Sequence, residues 1–134
     1  MALLLDASIL IEHERGRLDL EPRLEGQEGE ELFLSVVTAS ELLHGLHRAR
    51  DLAIRSRRAS WVEAVIERFP LLPVDLAAAR AHARLWADLA AQGRLIGPND
   101  LWLAATALSR GLALVTANRR EFDRVPGLVV EGWS

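Results

Sequence analysis

Short apolar runs alternate with helical stretches along nearly all of this 134-residue chain. That alternation is the strongest constraint on its fold. Strands joined through helices cannot pair as hairpins, so they line up parallel, with helices covering both faces of the sheet. The first run, Ala2 to Leu5, is continuously apolar and stops at Asp6. It reads as a strand buried on both faces. Ala7 to Glu14 reads as a helix interrupted at Gly16, and Leu18 to Glu25 as a weaker one. Residues 26–31 form a polar, glycine-containing loop. Leu32 to Val37 is rich in aromatic and β-branched residues and predicts a second strand, after which Thr38 opens a helix.

Arg50 to Phe69 predicts another helix, followed by a short strand between Pro70 and Val74, bounded by prolines. Asp75 to Gln92 repeats Leu76, Ala79, Ala83, Trp86 and Leu89 near the helical period and ends at Gly93. Gly97-Pro98-Asn99 starts a helix over Asp100 to Ser109, closed by Gly111. Leu112 to Val115 and Leu128 to Val130 predict the last two strands, the second at an edge. The fold class expected is α/β, and residues 1–134 read as one domain without repeats or linkers.

Composition removes several chemistries. There is no cysteine, hence no disulfide, thiolate nucleophile or Cys-based zinc site. There is no lysine either; all 16 basic residues are arginine. That argues against the receiver-domain and haloacid-dehalogenase-like classes, which also place an Asp after the first strand but require a lysine. The net charge of −3 does not describe a general polyanion binder. No basic region precedes the N-terminal apolar run, and no run approaches a membrane span of roughly 20 residues, so a cytoplasmic protein is expected.

Three carboxylates stand at turns leading into helices. Asp6 has the place of a helix N-cap. Glu41 closes Thr38-Ala39-Ser40-Glu41, which has the form of a capping box. Asp100 lies in a first helical turn, where the dipole favours an acid. Each is explained locally, yet all three belong at the carboxyl-end rim of a parallel sheet, where ligands bind. Converging carboxylates repel unless a cation lies between them, and oxygen ligands without Cys or a His pair point to Mg²⁺ or Mn²⁺. Such a centre suits phosphodiester hydrolysis.

Four segments, in order, resemble the motifs of PIN-domain ribonucleases, and most of all VapC-type toxins of prokaryotic toxin–antitoxin systems. They are Leu4-Leu5-Asp6-Ala7-Ser8, Ser35 to Leu42, Gly97 to Ala104 and Leu114 to Phe122. The resemblance extends through Val125-Pro126-Gly127-Leu128 to Trp133. It implies an α/β/α sandwich around a parallel sheet, Mg²⁺-dependent cleavage of RNA (commonly tRNA), a VapB-type antitoxin partner, and a homodimer that forms a heterotetramer or larger assembly with that antitoxin. Carried over by position, Asp6, Glu41 and Asp100 fall on the family's metal-binding and catalytic acids. Ser8, Thr38 and Thr116 fall on supporting polar positions. Many relatives carry an Asp where this chain has Asn118; Glu121 is the nearest acid, and the fourth position stays open between the two. The chemistry implied is in-line attack of water on phosphorus with loss of the 3′-oxygen, Glu41 being the candidate to orient or deprotonate the water.

Other residues carry two readings. Trp102 is either core or a stacking surface for a base. Trp61 and Trp86 read as core or dimer interface. Arg48, Arg50, Arg55, Arg57 and Arg58 are a solvated face, or contacts for phosphates or an acidic antitoxin tail. A PIN-like module that binds RNA or a partner without cleaving it is the non-enzymatic alternative; a missing acid-dependent metal site would mark it.

Overall fold

Each predicted strand appears in a parallel, five-stranded sheet in the computed structural model, which describes residues 2–26 and 31–133. β1 (Leu3–Leu5) is central. β2 (Leu32–Ser35) and then β3 (Leu71–Leu72) lie on one side, β4 (Ala113–Thr116) and then β5 (Val130–Gly132) on the other. Seven helices are described: α1 (Ala7–Glu14), α2 (Leu20–Glu25), α3 (Val36–Arg48), α4 (Leu52–Arg68), α5 (Leu76–Ala91), α6 (Pro98–Arg110) and α7 (Arg119–Phe122). Within them, no helix is long and apolar enough to cross a membrane.

The central strands show why both faces need cover. Leu3 and Leu5 of β1, with Ala113 and Val115 of β4, pack against Leu10, Leu20, Leu42 and Val62 of α1 to α4. Leu4 and Leu114, pointing the opposite way, pack against Leu85, Leu89, Leu103 and Phe122 of α5 to α7. The period-2 alternation of a strand thus divides one apolar run between two cores, giving three layers. Leu4, Leu5, Leu34, Leu103, Leu114 and Val115 are fully buried.

Boundaries follow local chemistry. Asp75 caps α5 by accepting from the Ala78 N–H at 2.9 Å. Pro98 starts α6, and Gly111 ends it with φ +66°, a left-handed conformation that favours glycine.

Several boundaries differ from the sequence expectation. Val36 and Val37 belong to α3, because Ser35 ends β2 and caps the helix, its Oγ accepting from the Val37 N–H at 3.0 Å. Thr38 therefore lies inside the helix rather than opening it. The last strand is Val130–Gly132, placed by pairing of Leu114 with Val130 and Thr116 with Gly132. The short helix α7 was not expected. Of the polar loop, residues 27–30 lie outside those described.

Candidate active site

The sheet topology brings distant acids to one rim. β1 and β4 are neighbours, with Leu5 opposite Val115, so Asp6 and Thr116 leave the sheet side by side. Asp6 is 6% exposed. It stands at the N-cap position of α1 yet makes no side-chain cap bond. Instead its Oδ2 accepts from the Ser8 hydroxyl at 2.7 Å and the Thr116 hydroxyl at 2.8 Å. The Ala117 and Asn118 N–H groups in turn donate to Ser8 Oγ at 3.0 Å and Thr116 Oγ1 at 2.9 Å. Backbone fixes the hydroxyls, and the hydroxyls fix the carboxylate. Ser8 and Thr116 thus both contact Asp6 directly.

Glu41 does not close a capping box, because Ser35 is the cap. Its Oε1 is buried with no hydrogen-bond partner among the described residues, and so is Thr38 Oγ1, one helical turn earlier. Burial, and then the nearby Asp6, raise the Glu41 carboxyl above the usual range. Asp100, in the first turn of α6, is pushed from 3.8 up to about 8. Burial contributes most. A hydrogen bond with Glu121 follows, then the charges of Asp6, Glu121 and Glu41. Asp6, Glu41 and Glu121 are thus all near enough to Asp100 for their charges to raise its carboxyl. Asn118 is exposed at the start of α7, and its side chain caps nothing. Of the two candidates for the fourth position, Glu121 adjoins the other acids and Asn118 stands beside them.

This donor set fits a hard divalent cation. It is all oxygen, one oxygen is buried without a partner, and burial followed by the neighbouring acids raises the Asp100 carboxyl. Among the described residues, no three acidic or His side chains already close on a single ligating point. Without a cation, mutual repulsion opposes that closure. Two of the four histidines have contacts elsewhere. His13 Nδ1 receives the Leu20 N–H at 3.1 Å. His82 stacks on Trp102 with ring centroids 3.5 Å apart and planes 11° from parallel.

Around the acids, Glu41 stands in a groove between α1, α3 and α4. Its floor is Ile11, Leu42 and Trp61, and its rim includes Arg48 and Arg58. Trp61 is partly buried against the core. Trp86 is 53% exposed and so is not core, while Trp102 is partly covered by His82.

Residues 3–128 match the PIN domain. The tRNA(fMet)-specific endonuclease VapC of Shigella flexneri is 41% identical over 103 residues, 77% of this chain and 76% of that protein. Ribonuclease VapC1 of Rickettsia felis is 32% identical over 130 residues, 97% and 95% of the two chains. The structure of DNA-bound VapBC from Salmonella typhimurium includes a chain that superposes with a TM-score of 0.90 at 32% identity, over 100% of this chain and 99% of that one. Matched in motif order, sheet topology and sequence over nearly its whole length, the chain belongs to the PIN-domain family, among its VapC-type ribonucleases.

Proposed function

We propose that this chain is the toxin of a type II toxin–antitoxin pair, a cytoplasmic endoribonuclease that uses Mg²⁺ and acts on structured RNA such as tRNA. The observation that carries the reading is the convergence of Asp6, Glu41 and Asp100, with Asp100 forced to about 8 by burial and by its neighbours. Acids held so close are costly in a purely structural role and suited to a cation.

Asp6, Glu41 and Asp100 would hold the metal, with Glu121 beside them. When bound, Mg²⁺ offsets the clustered charge, orients water and stabilises charge developing on the phosphate. The protein's own groups do the rest. Ser8 and Thr116 keep Asp6 in one orientation. Asp100 gives up its proton as the site fills. Glu41, its carboxyl raised above the usual range by burial and then by Asp6, accepts a proton from the attacking water. The bond between phosphorus and the 3′-oxygen breaks, and that oxygen takes up a proton from solvent, leaving 5′-phosphate and 3′-hydroxyl ends.

The apolar groove with its arginine rim suits an amphipathic, acidic segment of a VapB-type antitoxin, which would cover Glu41. Exposed Leu76, Trp86 and Leu95 support a homodimer. Residues 1–134 act as one domain in this reading.

Purified protein should cleave RNA with Mg²⁺ and stop with EDTA. Asp6→Asn and Asp100→Asn should each abolish cleavage while circular dichroism shows a folded chain. Undiminished cleavage by either variant refutes the site.

A further inference from the structure

The crevice beside Asp6 has a composition that metal binding does not explain. β1 sends the chain toward β2 on one side of the sheet, while β4 leads to β5 on the other. Between β1 and β4 the winding reverses. In parallel α/β sheets the carboxyl-end crevice at that reversal is where ligands lie. Here it is a cavity of about 340 Å³ between α1 and the turn joining β4 to α7. That falls within the range of roughly 300–1,000 Å³ usual for small-ligand sites.

Leu18 and Trp133, both buried, form its dry wall. Glu12 and Arg17, ion-paired at 2.9 Å, form a charged rim. Ser8 is shared between the crevice and the acid cluster, because the same hydroxyl that lines the cavity donates to Asp6. Asn118 also lines it. Its amide carries a donor and an acceptor side by side, the pair that reads a nucleobase edge. With Glu121 among the acids, Asn118 has no charge role to fill.

We propose that this crevice is a nucleotide subsite, in which Asn118 hydrogen-bonds the base adjoining the scissile phosphate. The guanidinium of Arg17 then faces the backbone of the same nucleotide, with Glu12 holding it in place. Leu18 and Trp133 exclude water behind the base. The subsite makes Asn118 a specificity-determining residue. It rests on the reading of the acid cluster as the phosphodiester-cleaving centre.

The test uses an RNA that the parent protein cleaves, prepared in four versions at each nucleotide flanking the cut. Asn118 is exposed, so Asn118→Ala leaves the fold intact. For the preferred version, KM should rise about tenfold, as expected for losing a paired base contact. kcat and the Mg²⁺ concentration for half-maximal rate should stay unchanged, and discrimination among the four bases should collapse. Unaltered discrimination overturns the subsite. An equal loss of kcat on all versions, with a shifted Mg²⁺ requirement, also overturns it and assigns Asn118 to the metal. A parent protein that cleaves no RNA instead refutes the reading of the acid cluster, and the subsite with it.

Discussion

Replacing Asp100 with Asn should stabilise the metal-free protein while destroying its activity. In the folded chain this carboxyl titrates at about 8, against an ordinary 3.8. Between those values the unfolded chain has lost the proton and the folded chain has kept it. Stability therefore falls as pH rises from about 4 to about 8, and the full penalty is present above that. Converted directly, the difference is about 6 kcal/mol. Asp100 is only partly buried, and water and counterions screen the neighbouring charges, so about 1–2 kcal/mol is the realistic figure. For a chain of this length that corresponds to a rise of about 3–8 °C in Tm. Differential scanning calorimetry in EDTA should show Asp100→Asn melting higher than the parent at pH 8. The two should melt together near pH 4. Mg²⁺ at about 100 times its Kd should return about 2.7 kcal/mol to the parent, erasing its deficit. A parent Tm that does not change across this pH range, or a variant that melts lower at pH 8, would refute the account of a repulsive, cation-requiring cluster.

Other outcomes follow from the same geometry. The Mg²⁺ concentration for half-maximal cleavage should fall as pH rises toward 8, because the cation competes with protons on Asp100 and Glu41; a pH-independent requirement would count against their ligation. Glu121→Gln should raise that concentration about tenfold with little effect on folding, measured by metal titration of the cleavage rate. Ser35→Ala should cost about 1 kcal/mol by leaving the Val37 N–H without its cap, seen as a lower denaturation midpoint. Gly111→Ala should cost about 1 kcal/mol through its left-handed backbone, with activity retained in the folded fraction.

Much of this architecture is legible in the sequence because strong local signals coincide with tertiary need. Leu3 to Leu5 is apolar on both faces and proves buried on both. Gly97-Pro98 and Gly111 bracket α6 because proline fits a helix start and glycine fits a left-handed end. The β2–α3 boundary lies earlier than the β-branched pattern suggests, for an equally physical reason. Val36 and Val37 continue the β-branched pattern of a strand, and only the Ser35 cap turns them into a helix. With the helix starting at Val36, Thr38 to Glu41 has the form of a capping box without its position. In the structure its buried Oε1 has no such partner, so the local explanation for that acid disappears. Glu121 was ambiguous because α7 is too short to announce itself; its approach to Asp100 depends on β4 pairing with β1.

The bonds from Ser8 and Thr116 to Asp6 have a consequence in time as well as in space. Thr116 lies 110 positions after the carboxylate it orients. No local segment can assemble this centre, and parallel pairing over such a separation forms late and slowly. A growing chain that already carries Asp6, Glu41 and Asp100 would still lack the Thr116 hydroxyl and the strand that complete the centre. Activity would switch on only when β4 docks beside β1. The nuclease is in this sense silent toward the ribosome that makes it, and becomes dangerous only as a finished fold.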